Sequence, residues 1–287
     1  MRILVTNDDG IASTGLHTLA RAMCRHGEVT VVAPDREYSG AGAALGALHL
    51  IQPEVRRVEC EGVDAAWTVN GPPGLCVVFA RLGLFGPRFD VIVSGINPGA
   101  NVGRSIYHSG TVGACLTGRN GGVSGVAVSQ AVAGFGIEGQ GWDQMVADQR
   151  WDAAAEVASV VVGSLLAAQP AEPVVVNLNV PNRDLVDIKG WRHTVVGTLP
   201  PRGMAGAELV PVPGREDTYS VTMTWGDEVE LPEDSDGGAV ERDYVSISYL
   251  SRIVAERRDD VAATDEALDA LFLAVSRSAQ VAQSGGS

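Results

Sequence analysis

Met1-Arg2-Ile3-Leu4-Val5-Thr6-Asn7-Asp8-Asp9-Gly10 opens the chain, and Phe89-Asp90-Val91-Ile92-Val93-Ser94-Gly95-Ile96-Asn97-Pro98-Gly99 follows the same plan. Each is a short apolar, β-branched run that breaks abruptly into Asn, Asp and Gly. Such runs are buried strands, and the residues that end them are turn formers. Between the two lie Leu16, Leu19, Ala20 and Met23 at helical spacing, a second apolar run at Val29 to Ala33, and a polar, glycine-rich loop over Pro34–Gly46. Residues 48–69 suggest a hairpin, and Pro72-Pro73 opens a helix through Val77 and Leu82. Helices are predicted at Thr111–Thr117 and Trp151–Ala168, and strands at Val123–Ser129 and Val174–Val180. Strand–helix alternation of this kind predicts an α/β fold: a mainly parallel sheet flanked by helices on both faces. Ligands in such sheets bind beyond the carboxyl ends of the strands. The polar loops after Thr6, Ala33 and Ser94 each follow a strand directly, so they are expected to converge on one edge.

The character changes after residue 189. Alternating segments at Tyr219–Trp225 and Tyr244–Leu250 predict antiparallel β structure, and Val261–Val275 a closing amphipathic helix. The expected organisation is a catalytic core over 1–189 and a β-rich extension with a terminal helix over 190–287. Residues 130–150 are weakly periodic and are expected to form a loop or cover, and the Gln283–Ser287 tail to be disordered. The alternating strands of the extension read as half-buried with too little apolar sequence for a core of their own. They need another surface, so an oligomer is expected.

Composition narrows the function. The chain has 287 residues and a net charge of −14. That surface repels nucleic-acid polymers. It also repels a small phosphate ester unless a bound divalent cation reverses the sign locally. Lys189 is the only lysine, so no lysine sits in a phosphate loop. Cys24, Cys60, Cys76 and Cys115 form no C-x-x-C pair and lie in or beside apolar stretches, so reduced thiols are expected rather than a zinc site. No apolar run approaches membrane-spanning length and no leader precedes the first strand, which gives a cytoplasmic address as the default expectation.

Three segments carry chemistry. Adjacent carboxylates at Asp8 and Asp9 repel each other unless a cation lies between them, and an all-oxygen site suits Mg²⁺ or Mn²⁺. A plain turn with Asp9-Gly10 at its corner is the competing reading. Ser39, in Tyr38-Ser39-Gly40-Ala41-Gly42, offers a hydroxyl to a metal, or the loop is merely flexible. Ser94 to Gly103 contains Asn97 and Asn101 among three glycines, and asparagine supplies a neutral oxygen to a hard cation or an N–H to phosphate. Ser109-Gly110-Thr111 then opens a helix, whose N-terminus is an anion site. A loop this long and glycine-rich is seldom only structural. His108 stands beside it as either a general acid or a helix-flanking residue. His17, His26, His49 and His193 lie outside these motifs and read as structural or exposed.

MRILVTNDDG, PDREYSG, SGINPGANVG and YHSGTVGA, in this order and at these separations, resemble the SurE family of stationary-phase survival nucleotidases. Gly71-Pro72-Pro73-Gly74, Asn177-Leu178-Asn179-Val180-Pro181 and Tyr244-Val245-Ser246-Ile247-Ser248 match further family segments, so the resemblance spans nearly the whole chain. It implies a Rossmann-like core whose C-terminal extension is exchanged between subunits, as a homodimer or homotetramer. It implies one divalent ion per subunit held by Asp8, Asp9, Ser39 and Asn97, with phosphate against Asn101 and Ser109-Gly110-Thr111. It also implies hydrolysis of nucleoside 5′- and 3′-monophosphates. Gly42, Arg104 and Thr117 depart from the family's usual residues, which bears on substrate preference.

Other classes fit less well. A receiver domain needs a phosphoacceptor Asp at a later strand end, where this chain has Ser94-Gly95-Ile96-Asn97. Haloacid-dehalogenase phosphatases need two aspartates one residue apart. No residue has the elbow or adjacent base of a covalent nucleophile, which favours direct attack by a metal-activated water, with Asp8 or Asp9 as the proton acceptor. A non-catalytic, metal-dependent nucleotide sensor is the alternative.

Overall fold

The computed structural model describes all residues except 49, 51, 134–141, 200–201, 252, 256–257, 259, 261 and 285–287. It divides into two units, Met1–Ser251 and Arg252–Ser287. Among its described residues the second unit carries one helix, α7 (Ala262–Ser284). Val261, His49 and the last three residues of the tail fall outside the described residues.

The first unit is built on a nine-stranded sheet. Its strands are β1 (Arg2–Thr6), β2 (Glu28–Pro34), β3 (Val55–Val58), β4 (Ala65–Val69), β5 (Val91–Pro98), β6 (Ser124–Gln130), β7 (Val175–Val180), β8 (Trp191–His193) and β11 (Val245–Leu250). The order across the sheet is β3-β4-β2-β1-β5-β6-β7-β11-β8. The six strands from β4 to β7 run parallel, with β3 antiparallel to β4 on one flank and β11 antiparallel to β7 on the other. The fold is thus the expected Rossmann-like α/β arrangement. Chain order proceeds outward in one direction from β1 to β2 and β4, then returns to β5 on the other side of β1. The crevice for a ligand in such a sheet lies at this reversal, between the carboxyl ends of β1 and β5.

Strand alternation splits the core into two layers. Ile3, Val5, Val29, Val31, Val91 and Val93 face α1 (Thr14–Met23) and α5 (Trp151–Ala167), where Leu16, Leu19, Met23, Ala154, Ala158 and Val162 meet them. Leu4, Val32 and Ile92 face the other way, onto Leu75, Cys76 and Val77 of α2 (Pro73–Arg81) and Ala114 of α3 (Gly110–Asn120). Aromatic residues make up only 5% of the chain, and small residues let the helices approach closely. A Cβ on Gly118 would sit 2.2 Å from Ile92, so a side chain there would displace α3 from the sheet. A short helix, α4 (Trp142–Val146) with Asp143 in its first turn, lies within the stretch expected to be a loop or cover.

The stretch after residue 189 divides between two structures. β8 and β11 join the main sheet, and α6 (Asp236–Glu241) packs beside them. β9 (Arg202–Pro211) and β10 (Tyr219–Glu228) instead form a separate antiparallel ribbon. Tyr219, Val221 and Met223 pair with Pro211, Leu209 and Ala207, which makes one face of the ribbon apolar. That face is exposed, with Leu209 at 68% and Val221 at 61%. The alternation anticipated a half-buried ribbon, but within one chain both faces meet solvent. No helix among the described residues is long and apolar enough to cross a membrane.

Candidate active site

The first loop is shaped by its own side chains. Asn7 Nδ2 donates to Gly10 O (3.0 Å), closing the turn that carries Asp8 and Asp9. Gly10 has φ +96°, and a Cβ there would lie 3.1 Å from the Arg36 backbone, so only glycine fits without strain. Ser13 then caps α1, accepting from Leu16 N.

The second loop is drawn over the first. Tyr38 N donates to Asp8 O (2.7 Å) and Gly42 N to His108 O (2.9 Å). A Cβ on Gly113 would stand 2.2 Å from Gly42 O, so α3 rests directly on this loop. Ser39 Oγ is exposed and donates to Glu37 Oε1 (2.8 Å).

The third element is the N-terminus of α3. Ser109 is its N-cap, accepting from Val112 N (3.1 Å). Thr111 Oγ1 donates to Asp8 Oδ1 (2.6 Å), and a Cβ on Gly110 would meet Asp8 Cβ at 2.7 Å and Oδ2 at 2.8 Å. The positive end of the helix is therefore aimed at the Asp8 carboxylate. Burial, the largest influence, raises the Asp8 carboxyl above its ordinary value, while the Thr111 hydroxyl and the Thr111 and Gly110 amides act to lower it. Asp9 is pushed up to about 8 by burial, then by the charges of Asp8 and Glu37.

Asp8 is buried and Asp9 half-buried with one oxygen inside. Among the described residues no arginine or lysine pairs with either, which calls for a cation, and the surrounding atoms fit one. Asp9 Oδ2 and Asn7 Oδ1 are buried with no hydrogen-bond partner, an arrangement that costs free energy unless something binds them. Among the described residues no trio of His, Cys, Asp or Glu side chains gathers to hold a metal. The carboxylate pair would be completed by neutral oxygens instead, which suits a hard ion. Asn97, at the end of β5, donates Nδ2 to Gly99 O (2.6 Å) and so keeps Oδ1 free to accept. The register of β5 against β6 is interrupted between Ser94 and Asn97 and resumes with Asn97 opposite Ser129.

The residues expected to meet phosphate are more deeply engaged than their pattern suggests. Asn101 is buried and donates Nδ2 to Ser129 Oγ (2.8 Å). Its backbone N–H donates to Asn179 Oδ1 (2.7 Å), and its carbonyl accepts from Asn177 Nδ2 (2.9 Å) and Asn179 Nδ2 (3.2 Å). Sequence reasoning assigned no role to Ser129, Asn177 or Asn179. A signal was present, since Asn177 and Asn179 are two amides in an otherwise apolar buried strand. Ser109 and Thr111 are likewise buried, while His108 is exposed beside them. Two cavities, of about 370 and 210 Å³, lie at the amino edge of β5 and β6 and touch none of these loops.

The survival protein SurE family model matches residues 3–200. A protein of Salmonella arizonae named 5′/3′-nucleotidase SurE is 35% identical over 254 residues, covering 87% of this chain and 90% of the relative. The same name and the same figures hold for a protein of Erwinia tasmaniensis. The crystal structure of a SurE protein from Aquifex aeolicus aligns with a TM-score of 0.70 at 29% identity, covering 89% of this chain and 95% of that one.

Proposed function

Because this chain belongs to the SurE survival-protein family, we propose that it is a nucleotidase: a divalent-metal-dependent phosphomonoesterase that hydrolyses nucleoside 5′- and 3′-monophosphates to nucleoside and phosphate. The observation that carries the metal-dependent reading is the adjacent Asp8–Asp9 pair: Asp8 buried against the positive end of α3, Asp9 with a buried oxygen that has no partner, and neither paired with a cationic side chain among the described residues.

Asp8, Asp9, Ser39 and Asn97 would hold one Mg²⁺ or Mn²⁺, which when bound would neutralise phosphoryl charge and acidify water. The chain's own residues do the rest. Asp8 is fixed by the Thr111 hydroxyl and the first turn of α3. Asp9 keeps an oxygen without a partner, so it is the carboxylate assigned to take the proton of the attacking water. That water's oxygen bonds to phosphorus, the bond from phosphorus to the ribose oxygen breaks, and the leaving oxygen takes up a proton. His108, exposed beside the N-terminus of α3, is the candidate donor of that proton. The amide cluster around Asn101 holds the third loop while Gly110 admits the phosphate to the helix N-terminus. Assembly as a homodimer or homotetramer is supported by the exposed apolar face of the β9–β10 ribbon. A lone two-stranded ribbon is marginal in water.

The deciding experiment is phosphate release from a panel of 5′- and 3′-nucleoside monophosphates, crossed with Mg²⁺, Mn²⁺, Co²⁺ and Ca²⁺. Release that depends on the ion supports the reading. Full activity after exhaustive chelation overturns the metal requirement, and nucleotide binding without turnover identifies a sensor.

A further inference from the structure

We propose that Asp236 is a positioning residue that ties the Gly197 segment, which leads toward β9, to the loop carrying the phosphate turn, so that the geometry of the site depends on this tie. The consequence for turnover rests on the nucleotidase reading; the tie itself does not.

Asp236 is 1% exposed. Its carboxylate accepts three backbone N–H groups from three separate segments. Oδ1 takes Gly197 N (2.9 Å) and Gly237 N (2.9 Å), and Oδ2 takes Gly103 N (2.8 Å). Among the described residues no ion pair reaches it. A carboxylate offers only acceptors, so it satisfies all three donors at once. An asparagine of equal size offers one oxygen and must turn an NH₂ toward one of those amides. Buried N–H groups left without an acceptor are costly.

The three donors sit at informative places. Gly197 and Leu199 lie just before Arg202, where β9 begins. Their carbonyls press on Gly103, which has φ +54° and whose Cβ would lie 3.0 Å from Gly197 O and 3.3 Å from Leu199 O. Gly103 in turn begins a short 3-10 turn ending at Tyr107. Ser105 O within it accepts from His108 N (3.0 Å) and Ser109 N (3.1 Å). Ser109 caps α3, and Thr111, two residues on in the first turn, holds Asp8. Hydrogen bonds joined by short spans of backbone therefore run from Gly197, through Asp236 and the Gly103–Tyr107 turn, to the N-terminus of α3 and a carboxylate of the site.

The test compares wild type, Asp236→Asn and Gly197→Ala. Gly197→Ala is the milder variant, because its Cβ would lie 3.1 Å from Asp236 Oδ1 and nudge the carboxylate rather than replace it. Amide hydrogen exchange over residues 103–111 is read by mass spectrometry, alongside phosphate release from 5′-AMP with Mn²⁺. In Asp236→Asn the exchange of 103–111 accelerates while β1 is unchanged. Its kcat falls about tenfold or more, further than KM rises, because orientation suffers before binding does. Gly197→Ala moves both in the same direction by less, and decides alone should Asp236→Asn fail to fold. Unaltered exchange over 103–111 overturns the tie. Faster exchange with unchanged kcat and KM, or only a lower melting temperature, overturns the positioning role. A wild type that releases no phosphate defeats the nucleotidase reading, and the exchange measurement then decides the tie by itself.

Discussion

Thr111 Oγ1 donates a 2.6 Å hydrogen bond to Asp8 Oδ1 from the first turn of α3. The bond fixes which way the carboxylate faces and crosses 103 positions of sequence. Thr111→Val keeps the shape and removes the hydroxyl. Groups that orient a metal ligand are typically worth about ten- to a hundredfold in affinity. Mn²⁺ affinity of Thr111→Val, measured by calorimetry, is therefore expected to drop by about tenfold with the fold intact. Equal affinity would show that the hydroxyl does not hold Asp8 for the ion.

Asp9→Asn is expected to separate activity from stability. Turnover falls by about 10² or more, the scale for losing a positioned catalytic group. The metal-free protein meanwhile gains stability at pH 8 and above, because a buried charge with no partner is gone. Steady-state kinetics and calorimetry on one preparation check both halves. Near-normal turnover in a folded Asp9→Asn would reduce this residue to a turn former.

The same carboxyl sets a pH dependence with a definite sign. Asp9 is raised in the folded, metal-free protein from 3.8 to about 8. Between those values the folded chain keeps a proton that the unfolded chain has lost. The contribution to stability is thus fully present below about pH 4 and lost as pH rises toward 8. The melting temperature of chelated protein should fall from pH 6 to 8.5, and less steeply in Asp9→Asn. Ion binding needs the carboxylates deprotonated, so added Mn²⁺ should raise the melting temperature more at pH 8 than at pH 6. A flat profile with chelator would remove Asp9 from the buried, protonated state.

Gly110 lies on a different loop from the four candidate metal ligands, which from sequence alone predicts little effect on the ion. Its contact with Asp8 changes that expectation. A Cβ there would fall 2.7 Å from Asp8 Cβ, so Gly110→Val displaces a ligand as well as closing the approach to the helix N-terminus. KM is expected to rise, kcat to fall and Mn²⁺ affinity to weaken together. Normal KM with only a depressed melting temperature would take this turn out of the site.

Deleting the ribbon, with residues 202–228 replaced by a short glycine-serine linker, tests assembly. Tyr219, Val221 and Leu209 lose their face, and the protein is expected to sediment as a smaller species than the full chain. An unchanged sedimentation profile across a dilution series would show that subunits meet elsewhere.

The strands were legible because buried β-branched runs ending in Asn, Asp and Gly have few other outcomes. The parallel order followed from alternation with helices, and the carboxyl-edge loops from that order. Asp8 and Asp9 stood out as neighbouring charges. The supporting contacts had no such local mark. Asn101 meets Asn179 across 78 positions and Gly103 meets Asp236 across 133, and no periodicity encodes partners so far apart. The ribbon misled in a different way. Its alternation correctly marks one apolar face, but says nothing about whether that face is covered within the same chain.

β11 lies between β7 and β8, although β8 is made more than fifty residues earlier. On the ribosome, β8 therefore has no described sheet neighbour until the chain has grown past Leu250. Asp236 must likewise be synthesised before Gly103 gains its acceptor. A nascent chain can complete β1 to β7 early, with Asn101 already held by Asn177 and Asn179, and still lack the acceptor of Gly103 and the strand that pairs with β8. Premature termination anywhere before residue 236 would leave a sheet with an open flank at β7, a shape prone to edge pairing and without a finished site.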